Sequence, residues 1–543
     1  MVKKLTKRLH PGSLVAVIIM ACVILPILSI LWVALSVDTS QWQHLLATVL
    51  PRYLTNSLTL MLGVGFMSLC LGTSLAYLVT HLDFPGRRVL QYALFLPLAV
   101  PSFVAAYTWV EVLEYAGPLQ TYLRDLAGWT SARAYWFPNI RSLPGAVLVL
   151  SFTLYPYVYL LARAAFRELP ASGQDVARSL GLGHARQFLR VSLPQARPAI
   201  AAGTAIVMME TLNDFGTVDY FAVQTLTTGI FSLWLESYNP GGAAQLALLA
   251  VAIVAVLLWV EKMGRSKARF NKSGRQLARI QPQTLPGAVS AVVLLYCFIP
   301  ILLGFLIPLI ILVKPALSDS SLWSGLGLWR ATGNSLLLGS ISAVLVVGLS
   351  AVMVLGLKGG EGAMRKFLPT LTTLGYAFPG AVLGLGILLP LALFDNWIAD
   401  LIYSLFNVDP GLIFTGSMGA LIIAYVVRFF AIGVGASEAG LASISTNIPF
   451  AAQSLGSSPS SLFFKIYQPL MRGALTSALV LIFVDTLKEL PATLLLRPFN
   501  FDTLSTHIYG QASLENFNAA APAALMVVTL SLGAIILLAK AHR

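Results

Sequence analysis

Apolar stretches nearly free of charge recur along the chain, at residues 14–36, 54–80, 142–162, 237–260, 286–313, 331–357, 367–394 and 516–539. Most reach the roughly 20 residues that a helix needs to cross about 30 Å of hydrocarbon. Less pure runs at 89–110, 196–216, 410–427 and 472–494 bring the count to about twelve. These runs are continuous rather than alternating, so they predict helices and exclude a β-barrel. The expected fold is therefore an all-α polytopic membrane protein with about 12 transmembrane helices. The first run is about 23 residues long and no small-residue cleavage site follows it, so it reads as a membrane anchor rather than a signal peptide.

Composition agrees with that pattern, since 57% of the 543 residues are hydrophobic and 10% are charged. The formal net charge of +13 would suit nucleic acid if the charges clustered on one surface, but their positions point elsewhere. With alternating spans and a cytoplasmic N-terminus, the inner segments hold Lys3, Lys4, Lys7, Arg8, Arg87, Arg88, Arg163, Arg167, Arg178, Arg186, Arg190 and Arg197. The longest inner linker adds Lys262, Arg265, Lys267, Arg269, Lys272, Arg275 and Arg279. The outer segments hold fewer, namely Arg52, Arg124, Arg133, Arg141, Lys314, Arg330 and Arg497. This asymmetry is the positive-inside pattern, which predicts both termini in the cytoplasm, the lipid bilayer as the medium and no nucleic-acid partner. Cys22, Cys70 and Cys297 lie inside apolar runs and read as small core residues, and the six histidines show no metal-ligand spacing.

The chain repeats itself. A shift of 275 positions superposes Ala177 on Ala452, Ser179-Leu180-Gly181 on Ser454-Leu455-Gly456, Pro194 on Pro469, Glu210 on Asp485 and Asp214 on Glu489. A shift of 278 aligns Asn56-Ser57 with Asn334-Ser335, Pro101 with Pro379, and Thr225–Thr228 with Thr503–Thr506. Both copies run in the same direction, which predicts two parallel-repeat halves about an axis normal to the membrane. The division expected is a first half at 1–270, a basic cytoplasmic linker at 271–282 and a second half at 283–543.

Within the repeat, two cytoplasmic segments share a spacing: Asp175-Val-Ala177-Arg-Ser-Leu-Gly181 with Leu193-Pro194, and Phe450-Ala451-Ala452-Gln-Ser-Leu-Gly456 with Ile466 and Pro469. Small alanines allow a short helix to approach a partner closely, and the glycine supplies a turn closed to other residues. The prolines fit a helix start. This pattern resembles the E-A-A, three residues, G, nine residues, I-x-L-P signature of ABC-importer permeases. Phe450 and Gln468 depart from it, where that family has Glu and Leu. The resemblance implies a bacterial inner-membrane subunit whose two loops dock on an ABC ATPase dimer, with a periplasmic substrate-binding protein outside. No G-x-x-x-x-G-K-[ST] phosphate loop occurs in the chain, so ATP belongs on the separate ATPase, and this chain is expected to be a transport subunit without catalytic residues or a cofactor of its own.

Charges inside a span cost several kcal/mol unless they face a cavity or a partner, so Glu210, Asp214, Asp485 and Glu489 are the candidate lining of the substrate pathway. Asp219, Glu236, Asp502 and Glu515 extend the acidic character toward the outer mouth. Such a path suits a cation and repels anions. Internal pairing, for instance of Asp485 or Glu489 with Lys488 or an arginine, is the competing reading. The stretches Glu210–Thr217 and Leu487–Thr493, with Phe501–Gly510, resemble the fused iron(III) importer permeases along nearly the whole chain. That resemblance implies iron(III) as cargo. Candidate metal contacts are Glu210, Asp214, Asp485, Glu489, His507 and Tyr509. Fused thiamine permeases share the layout, so thiamine or another organic cation is the alternative cargo. A secondary transporter would also use parallel repeats and buried acids, but would not need duplicated cytoplasmic knobs.

Overall fold

The computed structural model describes residues 11–36, 39–169, 176–177, 179–266, 282–358, 374–445 and 447–541. Asp175 and residues 271–281 of the expected linker lie outside the described residues. The principal helices are α1 (Pro11–Ser36), α2 (Leu50–His81), α3 (Ser102–Leu113), α4 (Leu143–Glu168), α5 (Leu193–Asn213), α6 (Pro240–Ser266) and α7 (Gly287–Ile301). They continue as α8 (Ile307–Ser318), α9 (Leu326–Lys358), α10 (Gly380–Phe406), α11 (Met418–Ala442), α12 (Gln468–Lys488) and α13 (Phe517–Ala541). Strand is confined, among the described residues, to a two-residue parallel pairing of Leu82–Asp83 with Gln283–Thr284.

Among the described residues, ten helical stretches are long and apolar enough to cross a membrane, and eleven if Arg87–Ala99 and Ser102–Ala127, bent by 90°, count as one. The expectation of twelve differs by α5, whose first turns carry Gln195 and Arg197 and which stops at Asp214, leaving too short a clean apolar run. The span expected at 410–427 is displaced: α11 runs through Arg428 and ends at Ala442. Apolar side chains such as Trp32, Leu35, Phe66, Val292 and Leu393 cover the outer faces of the helices, as a lipid-facing surface requires. Cys22 and Cys70 lie on that exposed surface, and only Cys297 is the buried residue expected of all three.

The halves are built alike down to single hydrogen bonds. Asn56 Nδ2 donates to the Gln224 carbonyl at 2.8 Å, and 278 residues on Asn334 Nδ2 donates to that of Asp502 at 2.9 Å. The Ser57 hydroxyl accepts from the Leu226 N–H at 2.9 Å, and Ser335 from Leu504 at 2.7 Å. Reciprocal capping boxes, Thr225 with Thr228 and Thr503 with Thr506, open the helices that follow.

The first helix of each half also packs on the other half. Helix α1 lies against α9 and α10, where the Ser29 hydroxyl donates to the Gly386 carbonyl at 2.9 Å. On the opposite side, the Tyr296 and Ser74 hydroxyls meet at 2.7 Å, and Trp109 Nε1 donates to the Leu303 carbonyl at 3.2 Å. A π-helical turn, Leu302–Leu306, joins α7 to α8 there. In lipid, helices gain little from hiding apolar surface from one another, so close backbone approach through small residues holds them. Gly304 is such a residue, since a Cβ on it would lie 2.4 Å from the Phe152 carbonyl oxygen. We expect Gly304→Val to destabilise the chain by about 1–3 kcal/mol through overpacking. Gly287→Ala, where a Cβ meets nothing within 4 Å, should have little effect. Thermal unfolding in detergent measures both.

Candidate functional site

Helices α5 and α12 end at matching places, on Asn213 and Lys488, and the next residue of each, Asp214 and Glu489, takes an extended backbone with ψ of 130° and 115°. A short helix restarts after each break, Gly216–Tyr220 and Pro491–Leu496. The acid at the break satisfies N–H groups that the new helix leaves without partners. Asp214 Oδ1 accepts from the N–H groups of Thr217 at 2.9 Å and Val218 at 3.3 Å, and Glu489 Oε1 accepts from that of Ala492 at 3.1 Å.

The remaining carboxylate oxygens are satisfied differently in the two halves. Asp214 Oδ2 accepts from the hydroxyls of Ser102 at 2.6 Å and Thr217 at 3.0 Å. Glu489 Oε2 lies 3.0 Å from Nε of Arg428, an ion pair rather than an aligned hydrogen bond, with both side chains buried. The repeat explains the exchange. Thr153 stands where the second half has Arg428, and Ser102 where it has Gly380. A Cβ on Gly380 would fall 2.5 Å from Glu489 Oε1 and 2.6 Å from an Arg428 nitrogen, so the ion pair occupies the space that Ser102 fills in the first half.

These groups line one cavity of about 130 Å³ at the junction of the halves, together with Leu98, Tyr157, Glu210, Asn213, Tyr376, Asp485 and Lys488. At the cavity, two contacts join the halves: Tyr376 donates its hydroxyl to Glu210 Oε1 at 2.9 Å, and Lys488 Nζ donates to the Leu98 carbonyl at 2.6 Å. Leu98 and Tyr376 are themselves repeat equivalents. The Asp485 side chain makes no hydrogen bond among the described residues. The structure thus brings all four predicted pathway acids together, with two engaged in holding helix breaks and two, Glu210 and Asp485, less committed. Four carboxylates against Arg428 and Lys488 leave a formal balance of two negative charges.

Arg428 escaped the sequence reading because it ends the apolar run at 427 and so looks like a boundary. The available signal was Glu489, 61 residues later, an intramembrane acid for which the sequence already suggested Lys488 or an arginine as counter-charge. Outside the cavity, the predicted acidic mouth is partly paired. Asp502 pairs with Arg497, Glu114 with Arg141, and Glu515 lies 3.8 Å from the same arginine. Asp219 accepts a hydrogen bond from Tyr509 at 2.8 Å. His507 and Tyr509 belong to the short helix Leu504–Ser513 and do not line the cavity. Burial pulls the His507 imidazole below its usual pKa, against the opposing effect of Asp502. Among the described residues no three His, Cys, Asp or Glu side chains are grouped to hold a metal ion.

The two cytoplasmic segments also match. Ala177 and Ser179 are helical, and Ala451-Ala452 lie in the helix Asn447–Ser454. Gly181 and Gly456 follow, with φ of +71° and +82°. The N–H of Leu182 donates to the Ala177 carbonyl, and that of Ser457 to Ala452, each at 3.0 Å, the closing bond of a Schellman turn. Leu180 and Leu455, at the tips, are 74% and 88% exposed. Leu193-Pro194 and Ile466 with Pro469 do not start new helices. Helical structure begins at His184 and Pro459 and passes through π-helical turns, Phe188–Ser192 and Phe463–Tyr467. The wider turn accommodates a proline that lacks an N–H and crowds the preceding carbonyl.

Residues 68–267 match the family described as "Binding-protein-dependent transport system inner membrane component". That stretch is similar to the membrane components of binding-protein-dependent transport systems. The chain is 27% identical over 495 residues to the Fe(3+)-transport system permease protein FbpB 2 of Haemophilus influenzae, covering 90% of each chain. It is 24% identical to the ferric transport system permease protein FbpB of Actinobacillus pleuropneumoniae, over 82% of this chain and 64% of that one. The molybdenum transport system permease protein ModB of Escherichia coli is 26% identical over 96% of its own length but only 42% of this chain. About one half of this chain is therefore similar to a whole smaller permease, and the chain resembles permeases in which two halves are fused.

Arg428→Met leaves Glu489 buried without its counter-charge and should cost about 3–5 kcal/mol. Adding Glu489→Gln should recover much of the loss, and a double-mutant cycle by thermal unfolding in detergent checks both values.

Proposed function

We propose that this chain is the membrane-spanning permease of an ATP-binding-cassette importer that moves iron(III) from the periplasm to the cytoplasm by alternating access. The single observation that carries the cargo assignment is the convergence of four repeat-related carboxylates in one cavity at the junction of the halves. Similarity along 90% of the chain to an Fe(3+)-transport permease supports the same reading. Relatives named for molybdenum or sulfate transport cover about two fifths of the chain. A cavity with a negative formal balance repels an anion such as sulfate.

Counting the bent α3 unit and α5 with the ten long apolar stretches gives twelve spans, six in each half, with both termini in the cytoplasm. On this reading the halves are 1–270 and 283–543, joined by the basic linker 271–282. The segments around Ala177–Gly181 and Ala451–Gly456 are the docking knobs for an ATPase dimer, and the exposed Leu180 and Leu455 supply apolar contacts that a free knob would not need. Asp175, Leu193, Pro194, Ile466 and Pro469 complete the two coupling loops. A loaded binding protein delivers the ion outside, and nucleotide-driven closure of the ATPases moves the knobs and hence the helices that break at the cavity. Hydrolysis resets the cycle.

Two outcomes follow. In proteoliposomes carrying the chain with its ATPase and binding protein, Glu210→Gln with Asp485→Asn should lower radiolabelled iron(III) uptake by about tenfold or more while leaving ATPase association intact. Labelled thiamine, offered as competitor, should not displace the iron; thiamine uptake in its place would retain the architecture and overturn the cargo. Gly181→Val with Gly456→Val forces a branched side chain into a left-handed backbone, at a cost of roughly 1–2 kcal/mol per site. ATP hydrolysis should persist there with uptake reduced, and unchanged uptake would remove the knobs from the coupling path.

A further inference from the structure

Lys488 is placed unexpectedly for a lysine beside acids. Asp485 lies one turn earlier on the same helix, and Glu210 lines the same cavity. Yet no carboxylate oxygen comes within 4.0 Å of its nitrogen among the described residues, and its ammonium is instead bound to the Leu98 carbonyl of the other half at 2.6 Å. An ammonium inside a span without a carboxylate partner is costly, so its position calls for a role.

Its repeat equivalent is Asn213, which is 96% buried, lines the same cavity, and has neither its amide nitrogen nor its oxygen hydrogen-bonded. One half thus presents an unpartnered neutral ligand to the cavity, and the other a cation. We infer that Lys488 is a specificity-determining residue: its ammonium is a resident cation that an entering ion has to displace, so the cavity admits polyvalent cations and turns monovalent ones away.

The reason is electrostatic exchange. A monovalent ion at the ammonium's position gains from Glu210 and Asp485 no more than the ammonium does, while an ion of higher charge gains in proportion to that charge. Arg428 cannot take this part, because it is already paired with Glu489. The displaced lysine releases Leu98, so the same exchange loosens a tether between the halves. Asn213 offers the incoming ion a side-chain oxygen where no charge has to be moved.

The inference rests on the cation reading of the cavity, and its test separates the two. Terbium(III) serves as the polyvalent probe with the purified full chain in detergent, its luminescence sensitised by tyrosines such as Tyr157 and Tyr376 in the cavity lining. In the parent chain, a saturable signal should be lost in the Glu210→Gln, Asp485→Asn double variant. It should not change when choline chloride is replaced by sodium chloride at constant ionic strength. Lys488→Met should bind terbium about tenfold more tightly. Its half-saturation should then rise several-fold when sodium replaces choline. Lys488→Gln carries the same expectation should the methionine variant fail to fold, and Lys488→Arg should still reject sodium. A parent signal indifferent to the acid double variant would overturn the cation reading and this inference with it. A parent signal that depends on the acids, with Lys488→Met and Lys488→Gln as indifferent to sodium as the parent, would overturn the inference alone.

Discussion

Two helices stop in the middle of the molecule at an acid, and the carboxylate of each acid receives the N–H groups that the restarting helix leaves free. A break in a membrane helix is tolerable only where the freed backbone groups find partners inside the protein. Asp214 and Glu489 provide them at equivalent places. The rest of the cavity follows from that constraint. Once a carboxylate is fixed at the break it needs either hydroxyl donors or a counter-charge, and the two halves have taken one solution each: Ser102 and Thr217 around Asp214, Arg428 beside Glu489.

The asymmetry has a packing cost that is visible in the sequence. Accommodating a guanidinium where the first half has threonine requires a glycine at 380 where the first half has serine. Duplication supplied two like halves, and compensating changes then distinguished their contributions to a shared cavity. Contacts that cross the junction, Tyr376 to Glu210 and Lys488 to Leu98, tie the halves together at the level of the acids. The exchanged packing of α1 and α7 ties them again at the periphery. A movement of one half against the other therefore has to be accommodated both at the cavity and along these outer helices.

Much of this was legible from residue order. Long apolar runs fix membrane helices because lipid offers backbone groups no partners, and matched polar loops reveal duplication because nothing in bilayer solvation demands them. Residue spacing identified Glu210, Asp214, Asp485 and Glu489 for the same reason: intramembrane charge is expensive. It misplaced what depends on continuity. Arg428 looked like the end of a run, yet the helix continues through it, since a buried guanidinium paired with Glu489 costs far less than one facing lipid. The prolines at 194 and 469 looked like helix starts, but π-helical turns carry the helix past them.

Sequence alone therefore determined the medium, the class of secondary structure, the duplication and the identity of the cavity acids, because each is a property of composition or period along the chain. Only the tertiary structure decided which acids support the backbone and which remain less committed, which base neutralises which acid, and that Lys488 reaches a carbonyl of the opposite half. Those outcomes depend on distances between residues about 60 to 390 positions apart, which packing sets and residue order does not encode locally.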